Sequence, residues 1–166
     1  MKINPFVSDL IKQGVLKTPA IIKAFKKIDR ANFVPTELKE EAYINEPLPI
    51  GEGQTISQPY TVAFMIELLK PSEGDKIFEI GFGSGWQTAL LAYIVSQKYR
   101  SPTSIRGTVY AVERIPELFK FGRKNIAKYN FIKNGIVKTI GGDATLGLKR
   151  RAPFDRIIAA AAGKEV

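Results

Sequence analysis

Three carboxylates and a run of glycines are the residues of this chain best suited to chemistry. The stretch Glu79-Ile80-Gly81-Phe82-Gly83-Ser84-Gly85-Trp86 sets an acidic side chain two positions ahead of a Gly-x-Gly-x-Gly turn. Glycine lets a backbone approach a ligand closely, and a strand entering such a turn with a helix leaving it makes a nucleotide-type site. Trp86 stands where the dinucleotide fingerprint Gly-x-Gly-x-x-Gly wants its third glycine, which argues against NAD and a dehydrogenase. Glu113, at the end of a second apolar strand, is placed to accept hydrogen bonds from ribose hydroxyls. It follows Gly85 by 28 residues, a long spacing that the polar insert 98–107 explains. The alternative for Glu113 is a surface glutamate paired with Arg114. Asp143, after Gly141 and Gly142, suits either an adenine amino group or an Asx-turn. For the glycines themselves the alternative is a tight turn with no ligand.

Composition narrows the chemistry further. The 166 residues contain no Cys and no His, which excludes disulfides, thiolate or imidazole nucleophiles and ordinary zinc sites. Carboxylates, hydroxyls, amides, cations or a cofactor must do the work. The length suits a single domain, 1–166, with N-terminal helices and a loop over 1–58 and an α/β core over 59–166. No apolar run approaches the ~20 residues a membrane span needs, and the start lacks the apolar stretch of a signal peptide. A cytoplasmic protein without metal or membrane partners is the expectation. Charge is uneven: residues 98–166 hold fifteen Lys/Arg against five Asp/Glu, while 46–97 hold two against six. Such a basic end favours anionic partners or is simply a solvated lysine-rich surface.

The elements that must position these residues read off the hydrophobic pattern. Thr18-Pro19 signals a helix start, and Ile21, Ile22, Phe25 and Ile28 recur on one face. Residues 31–58, punctuated by prolines and glycines, read as a long loop with too many apolar residues to be disordered. Gln58-Pro59 opens a helix with Val62, Met65, Ile66 and Leu69 on one side. Lys76–Ile80 reads as a buried strand, and the apolar run 89–95 as the helix behind the glycine turn. Strands follow at 108–112, 136–140 and 154–161, with a helix from Pro116 between the first two. Strands alternating with helices predict an α/β fold: a Rossmann-like, doubly wound parallel sheet.

Glu79 ahead of the glycines follows the pattern of class I S-adenosylmethionine (SAM) methyltransferases. A more specific resemblance runs from about residue 20 to the end. Val34-Pro35, Pro47-Leu48-Pro49-Ile50-Gly51, Gly53-Gln54-Thr55-Ile56-Ser57-Gln58-Pro59 and Val112-Glu113-Arg114-Ile115-Pro116 are similar to segments of the protein-L-isoaspartate O-methyltransferase family, as are Gly142-Asp143 and Pro153-Phe154-Asp155-Arg156-Ile157-Ile158. The resemblance implies transfer of a methyl from SAM to the free carboxylate of isoaspartyl residues in damaged proteins or peptides, leaving S-adenosyl-L-homocysteine. Ser57 is the implied active-site residue, and Thr55, Ile56 and Gln58 are implied to shape the pocket and to bind the cofactor. Glu79, Gly81, Gly83, Gly85, Glu113, Asp143 and Ala144 are the implied cofactor contacts, with the glycine amides facing the methionine carboxylate. For Ser57 the residues alone leave a second role open, capping of the helix that begins at Pro59.

The resemblance also implies strands after the fourth, in the order 3-2-1-4-5-7-6, whereas this sequence ends at Val166. The fourth strand would then be an exposed apolar edge, open to self-association or segment swapping. Two alternatives follow: a shortened domain that binds SAM or a partner without turnover, and a class I methyltransferase acting on RNA. Nucleic acid is the weaker expectation, because no Asn-Pro-Pro-Tyr or Asp-Pro-Pro-Tyr follows the fourth strand and there is no Cys for pyrimidine chemistry.

Overall fold

The structure, a computed structural model, describes residues 5–96, 107–145 and 147–161. Residues 98–106 of the 98–107 insert and the last five residues lie outside these. Four strands carry the core: β3 (Lys76–Ile80), β4 (Thr108–Glu113), β5 (Val137–Gly141) and β6 (Arg156–Ala159). All pair in parallel, in the order β5-β4-β3-β6. This agrees with the parallel α/β sheet and with the 3-2-1-4 part of the implied order. The register puts Phe78 beside Tyr110 and Ile157, and Glu79 beside Ala111 and Ile158.

That register separates two faces. Ile77, Glu79, Val109, Ala111, Val137 and Ile158 share one of them and are all buried. Helix α4 (Trp86–Val95) and helix α5 (Pro116–Ala127) pack against the strands. Nearly every α4 side chain is buried, as a helix apolar all round must be. The helices α1 (Pro5–Lys12) and α2 (Pro19–Lys27) complete this layer, and Phe6 and Phe25 meet the Trp86 ring edge-on at 6.1 and 5.6 Å. On the other face Phe78 stacks on Phe154 at 5.2 Å, Lys138 is exposed, and Ile157 on β6 is 58% exposed. Beyond β6 no further strand pairs among the described residues.

The segment expected as a loop over 31–58 is more ordered than that. It holds three short 3-10 turns and a hairpin of β1 (Leu48–Gly51) and β2 (Gln54–Ile56). Two strands of four and three residues, one carrying Pro49, are too short for periodicity to mark. Proline is tolerated because this ribbon needs few ladder donors. Leu48, Ile50 and Ile56 turn inward, and Glu52 and Gly53 at φ 53° and 66° make the tight connection. Helix α3 (Pro59–Leu69) follows, burying Val62, Ala63 and Ile66.

Candidate cofactor and active site

A cavity of about 840 Å³ opens at the carboxyl ends of β3, β4 and β5, where open parallel sheets bind ligands. Its volume lies in the range of cofactor pockets. One wall is the glycine turn between β3 and α4, and the opposite wall is the hairpin and the residues leaving it, Gln54 to Ser57.

Glycine is required in the turn for two separate reasons. Gly81, Gly83 and Gly85 all have positive φ, at 75°, 45° and 83°, a region that disfavours side chains. At Gly85 a Cβ would also come within 2.7 Å of Ile126 and 2.9 Å of the Gly122 carbonyl. Gly122 on α5 returns the requirement: its Cβ would sit 2.2 Å from the Gly83 carbonyl oxygen. Asn125, one turn along α5, donates to the Ser84 carbonyl at 3.1 Å. The glycine turn is therefore pressed onto α5, backbone to backbone.

The glycine amides, expected to face a ligand carboxylate, are each engaged within the fold. The Gly81 N–H donates to the Val112 carbonyl at 2.9 Å and the Gly85 N–H to Phe82 at 2.7 Å. The Gly83 N–H donates to Glu113 Oε2 at 2.9 Å. Buried amides need partners, and the fold supplies them internally. Gly85 does not line the cavity at all; its place in the pattern follows from packing.

The three carboxylates form a gradient of burial along the cavity. Glu79 is 0% exposed. Gln87 Nε2 donates to its Oε1 at 3.1 Å; its Oε2 has no donor at hydrogen-bond distance, while the likewise buried and unpaired Thr88 hydroxyl lies near enough, with Gln87, to pull its pKa down against burial. Burial pushes its carboxyl up to about 7, and the neighbouring Glu113 adds to the rise. Glu113 is 6% exposed and accepts from the Gly83 and Ile115 amides at 2.9 and 3.0 Å. It is thus a buried acceptor tying β4 to the turn, and the surface pairing with Arg114 is set aside. Asp143 is fully exposed, and its Oδ1 accepts from the Thr145 amide at 2.9 Å, which holds its carboxyl below the usual range. The Asx-turn is real, and Asp143 lines the cavity as well.

Ser57, Thr55 and Ile56 stand on the opposite wall, and Ala144 beside Asp143. Gln58 does not line the cavity: it is the first residue before α3, and its amide donates to the Asn45 carbonyl at 2.8 Å. The N-cap Gln58 makes no side-chain cap bond, and Asn45 Oδ1 accepts from the Tyr60 amide in the first turn of α3 at 2.9 Å, so the cap does not come from Ser57. Among the described residues no helix is long and apolar enough to cross a membrane, and no cluster of three or more acidic side chains could hold a metal.

The family model for protein-L-isoaspartate(D-aspartate) O-methyltransferase matches residues 1–166. The chain belongs to the protein-L-isoaspartate O-methyltransferase family. It is 46% identical over 153 residues to the protein-L-isoaspartate O-methyltransferase of Staphylothermus marinus, covering 92% of this chain and 66% of that one. To the Aeropyrum pernix protein of the same name it is 43% identical over 159 residues, covering 95% and 57%. It therefore spans less than two thirds of the length of these relatives. A Plasmodium falciparum chain described as a protein-L-isoaspartate O-methyltransferase, solved with S-adenosyl-L-homocysteine, shares the fold at TM-score 0.84 and 23% identity, covering all of this chain and 76% of that one.

In this member of the protein-L-isoaspartate O-methyltransferase family, every carried-over site position except Gln58 and Gly85 lines a single cavity. Sequence reasoning missed Ile50, Gln54, Arg114, Leu118 and Thr145 of the same cavity. It also missed Arg30, which is buried behind Ser57. A lone arginine amid Ile28, Phe33 and Val34 is the signal that was available.

Proposed function

We propose that this chain binds SAM in the cavity and methylates the free carboxylate of L-isoaspartyl residues in damaged proteins or peptides. The observation carrying the cofactor half is the partnerless Oε2 of Glu79, a fully buried acceptor in the cavity wall. A buried acceptor without a donor is costly, and an ammonium group of the ligand relieves it. Glu113 would accept from the ribose hydroxyls through lone pairs its two amide donors leave free, and Asp143 from the adenine amino group at the exposed end. Family membership supports the substrate half.

SAM, when bound, supplies an electrophilic methyl on a sulfonium. The attacking carboxylate of the substrate is already ionised near neutral pH, with an ordinary pKa of ~4, so no general base is needed. That suits a chain without His or Cys. Ser57 would hold the substrate carboxylate by donating a hydrogen bond, and Ile50, Ile56 and Phe82 give the cavity apolar walls that limit water. The amide nitrogen of the isoaspartyl linkage then attacks the resulting methyl ester, expelling methanol with its proton to give a succinimide, which water opens partly to normal aspartate. The reading keeps the cytoplasmic setting and the single domain expected from the sequence. It also keeps self-pairing along β6, for which the place of β6 as an end strand among the described residues is the support.

Labelled SAM offered with an isoaspartyl peptide, the matching aspartyl peptide and an RNA tests this directly. Label on the isoaspartyl peptide alone is the expected result. SAM binding without transfer would make the chain a binding domain, and label on RNA alone would replace the substrate.

A further inference from the structure

Arg30 is a buried cation that the proposed chemistry leaves unused. It is 0% exposed, and its guanidinium donates to four backbone carbonyls: Ala42 at 2.9 Å, Ile44 at 3.2 Å, Glu46 at 2.8 Å and Ser57 at 3.1 Å. The guanidinium carbon lies 5.4 Å from the centre of the Trp86 ring. Burial lowers its pKa to about 10, so it stays charged at neutral pH.

These partners are not scattered. Residues 42–46 lead into the β1–β2 hairpin, and Ser57 leaves it. One guanidinium therefore joins the two ends of the cavity's substrate-side wall. Trp86, over whose ring it lies, is the first residue of α4 and follows directly from the glycine turn. Arg30 thus connects the wall that carries Ser57 to the wall that carries the glycines. A lysine offers three donors and no plane to stack, whereas arginine offers a rigid fork of five.

We propose that Arg30 is a positioning residue for the substrate side of the site: it sets Ser57 against the glycine turn and leaves cofactor binding to the carboxylates. The proposal rests on the isoaspartyl reading for its kinetic arm only.

The test compares wild type, Arg30→Lys and Arg30→Met in three measurements. These are SAM affinity, kcat and KM for an isoaspartyl peptide, and hydrogen exchange of 42–58 against 77–91. In Arg30→Lys, SAM affinity is expected to stay within about twofold, while kcat/KM falls about tenfold or more, mostly through KM, because uniform binding of the peptide is what is lost. Exchange should rise at 42–58 and not at 77–91, more in Arg30→Met than in Arg30→Lys. Parallel losses of SAM and peptide binding, or unchanged exchange at 42–58, would overturn the proposal. Failure of Arg30→Lys to fold would also overturn it, by assigning Arg30 to stability alone. If wild type does not methylate the peptide, the proposed function fails, and the exchange measurement alone decides the role of Arg30.

Discussion

The two walls of the cavity are built by different means. On the glycine-turn wall, backbone presses on backbone: Gly85 against Gly122 and Gly122 against Gly83, with the turn amides absorbed by Val112, Phe82 and Glu113. On the hairpin wall, one side chain, Arg30, gathers carbonyls from residues 42 to 57. The first arrangement tolerates no added atom, because close-packed interiors cannot absorb one. The second depends on a removable group and can loosen without unfolding the sheet. Under the proposed function, a site that holds a small cofactor in one pose and admits protein segments of many sequences gains from this division.

The largest effect should come from breaking the tight wall. Gly122→Ala places a methyl against the Gly83 carbonyl and the Phe82 ring. Overpacking of this kind costs about 3 kcal/mol, and denaturant unfolding should register it together with the loss of SAM binding. A variant as stable as wild type and still binding SAM would show that the two backbones are not locked together.

Next comes the buried carboxylate in that wall. The Glu79 carboxyl is raised from 4.5 to about 7, so between these values the folded chain holds a proton that the unfolded chain has lost. Stability of the ligand-free protein should therefore fall as pH rises from 4.5 to 7 and level off above. SAM affinity should move the opposite way, strengthening as Glu79 ionises to meet an ammonium. Glu79→Gln should flatten both profiles, stabilise the free protein at pH 8 by on the order of 2 kcal/mol, and weaken SAM binding at least about tenfold. Calorimetry across pH would refute the assignment if the Gln variant bound SAM as wild type does.

On the looser wall, Ser57→Ala should lower kcat/KM for an isoaspartyl peptide about tenfold, the loss of one hydrogen bond to a charged group. SAM affinity should stay unchanged; if it drops in step, Ser57 belongs to the cofactor side instead. The smallest effect is expected at Asp143, which is exposed and already bonded to Thr145. Asp143→Ala should weaken SAM binding about threefold, in line with an exposed, screened contact.

Much of this was legible in the chain because it is written locally. Apolar runs, prolines and glycines mark β3, α3 and α5, and the acidic residues that end strands or precede the glycine turn point at a nucleotide-like ligand. The short hairpin was not legible, since strands of three and four residues carry too little periodicity. That Glu113 reaches the cavity was legible from its place at the end of an apolar strand, whereas the partners of the glycine amides were not, because they lie on β4 and within the turn.

The sequence by itself determined the order of the core strands and helices, the parallel sheet and the residue types at the cavity, since strand and helix periods and turn chemistry depend on neighbours in the chain. Only the tertiary structure decided which atoms remain available. It turned Gly85 toward α5, left Oε2 of Glu79 without a partner, and brought Arg30 within 3.1 Å of the Ser57 carbonyl across 27 positions. Burial and hydrogen-bond satisfaction are properties of packed surfaces from distant segments, so no local reading of the chain could have supplied them.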